Sequence, residues 1–188
     1  MRLPIFWITL LGCALSLPAH AAKVAGVKVD ETAQLSAGGP QLVLNGVGIR
    51  KKFFVKVYVG ALYLPKKVTS VDAVLNETGP KRVLMHFLYK KVEGYKLADG
   101  WTEGFENNSK SEMGKLKARL DDFNKLFTDV KKGDVILLDY LPGQGTRVTI
   151  KGQEKGTIPG ADFNRALLNV WLGPKPADSG LKKAMLGG

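Results

Sequence analysis

The stretch GVGIRKKFFVKVYVGALYL, residues 46–64, decides the reading of this 188-residue chain. It opens as a glycine-punctuated turn carrying three consecutive cations, Arg50, Lys51 and Lys52, then runs into β-formers over 53–64, closed by Pro65. Asn45-Gly46 at its start is a dipeptide that tight hairpin turns favour, because their central residues need positive φ. Successive strand side chains point to opposite faces. Phe53, Val55, Val57 and Val59 therefore read as one core face, with Phe54, Lys56 and Tyr58 on the other. Lys56 and Tyr58 are then the polar members of the second face, and Lys56 can extend its ammonium to water.

Working outward, the apolar period switches between two and 3.6. Upstream, VAGVKVDETAQL reads as an edge-type strand and QLVLNGVGI as a short strand before the Asn45-Gly46 turn. Downstream, Ser70 caps a short helix in SVDAVLNE that Gly79-Pro80 ends. KRVLMHFLYKKV sets Val83, Met85, Phe87 and Tyr89 on one face and Leu84, His86 and Leu88 on the other. Apolar residues on both faces make this a central strand of a covered sheet. From Gly94 the positions Tyr95, Ala98, Trp101, Phe105 and Asn108 share one helical face. Gly100 and Gly104 weaken that helix by about 1 kcal/mol each, so close packing against it is expected. Met113, Leu116, Leu120, Phe123 and Phe127 form a second helical stripe. Sheet returns in GDVILLDYLP, TRVTIKG and GTIPG, and helices over 162–172 and 180–186 close the chain. The first of these directs Phe163, Ala166, Leu167, Val170 and Trp171 inward. This order defines an α+β fold with helices segregated onto one face of an antiparallel sheet.

Residues 1–21, MRLPIFWITLLGCALSLPAHA, combine one cation, a short apolar run and an Ala-His-Ala end, the pattern of a cleaved secretory signal. The run is short of the roughly 20 residues a membrane span needs. Lipidation at Cys13 is the alternative to cleavage after Ala21. Cleavage leaves one domain, 22–188, with no cysteine and with His86 as its single histidine, which excludes disulfides and makes a metal site unexpected. His86, in a central strand, reads as a core residue rather than a base. No cofactor is expected. The formal charge falls from +11 to +10 with the loss of Arg2. For an exported chain this basicity points away from nucleic acid and toward a small acidic ligand or an anionic membrane surface, with many lysines simply solvated.

The same opening stretch resembles a signature of the chalcone isomerase-like superfamily, a Gly-x-Gly-x-Arg turn and a strand ending Gly-x-x-Tyr-Leu. KKGDVILLDYLPGQGTRVTIKG is similar to its paired strands, and DFNRALLNVWLG followed by LKKAMLG to its closing helices. The resemblance covers nearly all of 22–188 and is nearer the bacterial exported branch than the plant enzyme. It implies an open-faced β-sandwich with a large antiparallel sheet, a helical layer over one face and a ligand cleft between them. It also implies a periplasmic location.

The plant enzyme closes a flavonoid ring with an arginine and a lysine as electrostatic partners, two threonines, a tyrosine and an asparagine. By that resemblance the arginine falls on Arg50, the strand threonine on Tyr58 and the tyrosine on Trp101. The asparagine falls on Asn108, the lysine on Lys90 or Lys91, and the last threonine on Val170. Trp101 and Val170 cannot accept a hydrogen bond, so the water network at the substrate carbonyl is not kept. Arg50 with Tyr58 is instead similar to the fatty-acid-binding branch, where an arginine and a tyrosine clasp a carboxylate. The expectation is a binder of a small amphipathic carboxylate at Arg50 and Tyr58, with Lys56 and Asn108 as further polar groups and Trp101, Phe105, Val170 and Trp171 as apolar lining. The alternatives are an isomerase acting on an enone-like substrate through Arg50 and Lys90 or Lys91, and a basic envelope protein associating with anionic lipid or a partner protein.

Overall fold

The computed structural model describes residues 21–188. The expected signal segment, with Cys13 and His20, lies outside the described residues apart from Ala21. In chain order the strands begin β1 (Ala21–Val24), β2 (Val27–Asp30), β3 (Thr32–Gln34), β4 (Gln41–Lys52) and β5 (Val55–Leu64), followed by helix α1 (Val71–Asn76). Next come β6 (Lys81–Phe87), β7 (Lys91–Val92), α2 (Gly94–Asn108), a 3₁₀ turn and α3 (Met113–Lys125). The chain ends with β8 (Val130–Lys131), β9 (Val135–Leu141), β10 (Gly145–Ile150), β11 (Gln153–Ile158), α4 (Ala161–Leu172) and α5 (Ser179–Met185).

Seven strands form one antiparallel sheet in the order β11-β10-β9-β6-β5-β4-β3. One face carries Tyr58, Leu62, Leu64, Val83, Met85 and Phe87 into the main core, which α2, α3 and α4 close with Trp101, Phe105, Leu120, Phe123, Phe163 and Trp171. The opposite face is partly covered. Val24, Val27 and Val29 belong to a β1–β2 hairpin that packs on Val59, Ala61 and Tyr63, not to an edge strand. The turn at Ala25-Gly26, both with positive φ, folds that segment back on itself. The edge strand at this end of the sheet is β3. Also on this outer face, Asp139 is buried and accepts two hydrogen bonds from Arg82 (2.6 and 2.8 Å) and one from Arg147 (3.0 Å).

Asn45-Gly46 does not turn the chain. Both lie inside β4, at a register shift between Leu44 and Gly46. Asn45 is buried; its amide donates to Met185 O (2.7 Å) and its side-chain oxygen accepts from Val68 N (2.7 Å). A side chain committed to two distant backbone groups anchors β4 to the end of α5 and to the loop after β5. The hairpin lies further on, at Phe53-Phe54, where Lys52 pairs with Val55.

Gly46, Gly48 and Gly60 share the helix-facing side because α5 lies directly on β4 and β5. A Cβ on Gly46 would collide with the carbonyl oxygen of Ala184, and one on Gly48 would sit 2.5 Å from the Ala184 methyl. Asp178 caps α5 by accepting from Leu181 N (2.8 Å), and its second oxygen accepts from Lys51 N (2.8 Å). The cap therefore pins the helix start to the strand residue next to Arg50.

Candidate ligand-binding site

A cavity of about 540 Å³ opens between the sheet and α2 at the β4–β5 end of the molecule. Its buried walls are Tyr58, Met85, Phe87, Leu97, Trp101 and Val170. Arg50, Lys52, Phe53, Tyr89, Lys91, Tyr95 and Lys96 also line it, together with the carboxylates Glu93, Asp99 and Glu103. A volume of this size suits a ligand of drug or lipid dimensions, for which cavities run from roughly 300 to 1,000 Å³.

A bulge sets the polar end. Arg50 pairs with Tyr58, but Lys51 pairs with Lys56, so Val57 is the extra residue in β5. An inserted residue breaks strand alternation. Val55, Val57 and Tyr58 accordingly all line the cavity, while Lys56 is turned to solvent outside it. The even alternation expected for 53–59 thus fails at one residue, and Lys56 drops out of the candidate site. Arg50 follows Gly46 and Gly48 on the helix-facing side of β4 and lines the cavity, its guanidinium carbon 5.9 Å from the centre of the Tyr58 ring. Among the described residues it makes no salt bridge.

Tyr58 is buried, with its ring tilted against Phe87 (centroids 5.6 Å). Trp171 Nε1 donates to its hydroxyl at 2.8 Å. Indole can only donate, so the phenol is the acceptor here and keeps its own proton for another partner. Burial pushes the Tyr58 phenol up, more than the nearby Arg50 charge and the Trp171 hydrogen bond pull it down. It therefore stays a donor at neutral pH. Trp101, also lining the cavity, carries a buried indole N–H with no partner among the described residues.

The remaining candidates divide. Val170 lines the cavity as expected. Trp171 is buried outside the lining and acts through its bond to Tyr58. Phe105 is fully buried against Phe163 (centroids 5.3 Å), inside the helical layer. Asn108 is no cleft group: its amide donates to Gly104 O and Lys175 O (both 2.9 Å), and its oxygen accepts from Lys175 N (2.8 Å). It ties the end of α2 to the loop after α4. Lys90 is exposed outside the lining, whereas Lys91 lines the mouth and is held by Asp129 at 2.8 Å. His86 points to the other side of β6 from Met85 and Phe87. Tyr95, expected to face inward, is 62% exposed, because the buried line of α2 runs through Gly94, Leu97, Trp101 and Phe105. Met85 and Phe87 were legible as one face of β6, but nothing in the sequence marked that face as cavity wall.

The chain belongs to the chalcone isomerase-like family, whose model matches residues 21–187. Among solved structures it is similar to the crystal structure of a fatty-acid binding protein from Arabidopsis thaliana. The two share 17% sequence identity at a TM-score of 0.70, over 89% of this chain and 96% of that one. At that identity the likeness establishes the fold. No curated protein sequence matches the chain.

Proposed function

We propose that this protein binds a small amphipathic carboxylate of the fatty-acid kind, with the head group at Arg50 and Tyr58 and the tail along Met85, Phe87, Leu97, Trp101 and Val170. One observation carries the reading. A guanidinium without a salt-bridge partner stands beside a buried phenol with a proton to spare, at the edge of an apolar cavity. Guanidinium binds carboxylate through two parallel charge-assisted hydrogen bonds, and the phenol supplies a third. The unpartnered N–H of Trp101 is a further donor for a ligand oxygen. The fatty-acid binding by the structurally similar protein accords with this reading.

Binding is favoured over isomerisation on the chemistry of the walls. By the resemblance, Trp101 and Val170 fall where the plant enzyme carries a tyrosine and a threonine, and Lys91 is already engaged by Asp129. The signal-like residues 1–21 support export, and we place the protein in a bacterial periplasm, with cleavage after Ala21. Amino-terminal sequencing of protein from that compartment tests the location.

The binding itself is tested by native mass spectrometry of protein purified without added ligand. Wild-type protein is expected to carry a bound acid that Arg50→Ala has lost. Wild-type protein that never carries an acid, under conditions where added acids also fail to bind, overturns the reading.

A further inference from the structure

The five large hydrophobic residues exposed among the described residues are Phe53, Phe54, Val55, Tyr89 and Tyr95, and all five gather at one place. Four of them line the cavity, and the fifth, Phe54, occupies the adjoining hairpin turn. Phe53 is 88% exposed and Phe54 is 99% exposed. A two-residue hairpin loop with positive φ at its first position is ordinarily glycine, yet Phe53 adopts φ of 56° there. A bulky side chain in that region is strained. The turn thus accepts both backbone strain and two bare aromatic rings, and folding gains nothing from either.

Cations surround these rings. Between Glu31 and Asp72 the sequence has no acidic residue, and four of its basic ones, Arg50, Lys51, Lys52 and Lys56, lie at the tip end of β4 and β5. Lys51, Lys52 and Lys56 flank the turn, are exposed and make no salt bridge among the described residues. The carboxylates of the mouth, Glu93, Asp99 and Glu103, come from the α2 side, and Glu93 is paired with Lys96 at 2.9 Å. Apolar rings at an extremity, ringed by unpaired lysines, match the two layers of an anionic bilayer surface: acyl chains for the rings and phosphates for the ammonium groups.

We propose that the Phe53-Phe54 tip is a membrane-docking surface for anionic lipid, which holds the cavity mouth against the bilayer. An amphipathic ligand then passes between membrane and cavity without its tail crossing water. The docking surface stands on the tip alone; its role in ligand exchange rests on the binding function proposed above.

Co-sedimentation with vesicles of mixed phosphatidylglycerol and phosphatidylcholine tests it, with phosphatidylcholine vesicles as the control. Wild-type protein is expected to sediment with the anionic vesicles and to release them as salt is raised. Phe54→Ser and the double variant Lys51→Glu/Lys56→Glu should each weaken that binding about tenfold or more. Neither changes a cavity-lining side chain, so both should titrate a soluble fatty acid as the wild type does. Wild-type protein that stays in the supernatant, or a Phe54→Ser variant that sediments unchanged, overturns the proposal. So does a concentration-dependent dimer that Phe54→Ser abolishes without any vesicle binding, which assigns the tip to a second copy of the chain. Tip-dependent sedimentation by a protein that titrates no acid upholds the docking surface and overturns the ligand reading instead.

Discussion

Tyr58 shows how one side chain can be both core and site. Its ring packs on Phe87, and Trp171 behind it makes the hydroxyl an acceptor, leaving its proton for a further partner. Tyr58→Phe should therefore act twice. It removes the proposed donor to a ligand head group and leaves the Trp171 N–H buried without an acceptor, which costs about 1–3 kcal/mol. Urea unfolding should register the stability loss, and titration with a fatty acid a loss of affinity of about tenfold. The phenols also set an alkaline limit. Burial pushes Tyr58 up and Tyr63 up to about 12, so each favours folding while neutral. That contribution is complete below the unfolded phenol value near 10 and is lost as pH climbs through the raised folded values. The urea midpoint should accordingly fall between pH 10 and 12. A midpoint flat across that range contradicts the placement of these two hydroxyls.

At the scale of elements, what was legible in the sequence and what was not have separate physical causes. The α3 stripe of Leu116, Leu120 and Phe123 and the inward face of α4 are read directly from period, because each packs along its whole length. The β4–β5 hairpin was misread because its turn violates turn chemistry: Asn-Gly sits inside a strand, Phe-Phe turns the chain, and the Val57 bulge reverses the alternation beyond it. Arg50 and Tyr58 share a side of the sheet despite this, because they pair directly across β4 and β5 before the bulge. The two glycines of α2 make the difference between elements quantitative. A Cβ on Gly104 would lie 2.8 Å from both methyls of Val170, whereas one on Gly100 meets no atom within 4 Å. Gly100→Ala should raise stability by up to about 1 kcal/mol. Gly104→Ala should lower it by roughly 1–3 kcal/mol through overpacking against α4. Thermal unfolding of the two variants side by side decides this; equal shifts would show that α2 and α4 do not approach as closely as described.

For the molecule as a whole, the sheet, the helical layer and the α5 cap combine to deliver Arg50 to the end of an apolar cavity. The layer order was readable from the succession of strands and helices, and the residues of the proposed clasp were suggested by the family resemblance. The cavity itself was not readable, because a void is a relation between elements that no single period encodes. The most direct test of the account is a calorimetric titration of wild-type protein with a long-chain fatty acid and with its methyl ester, repeated on Arg50→Ala. The clasp predicts that the acid binds about tenfold or more tightly than the ester to the wild type, because only the carboxylate takes the charge-assisted bonds. Arg50→Ala should abolish that preference and leave both ligands at the weaker affinity. An acid and ester bound equally by wild-type protein, or a preference that survives the loss of Arg50, would contradict it.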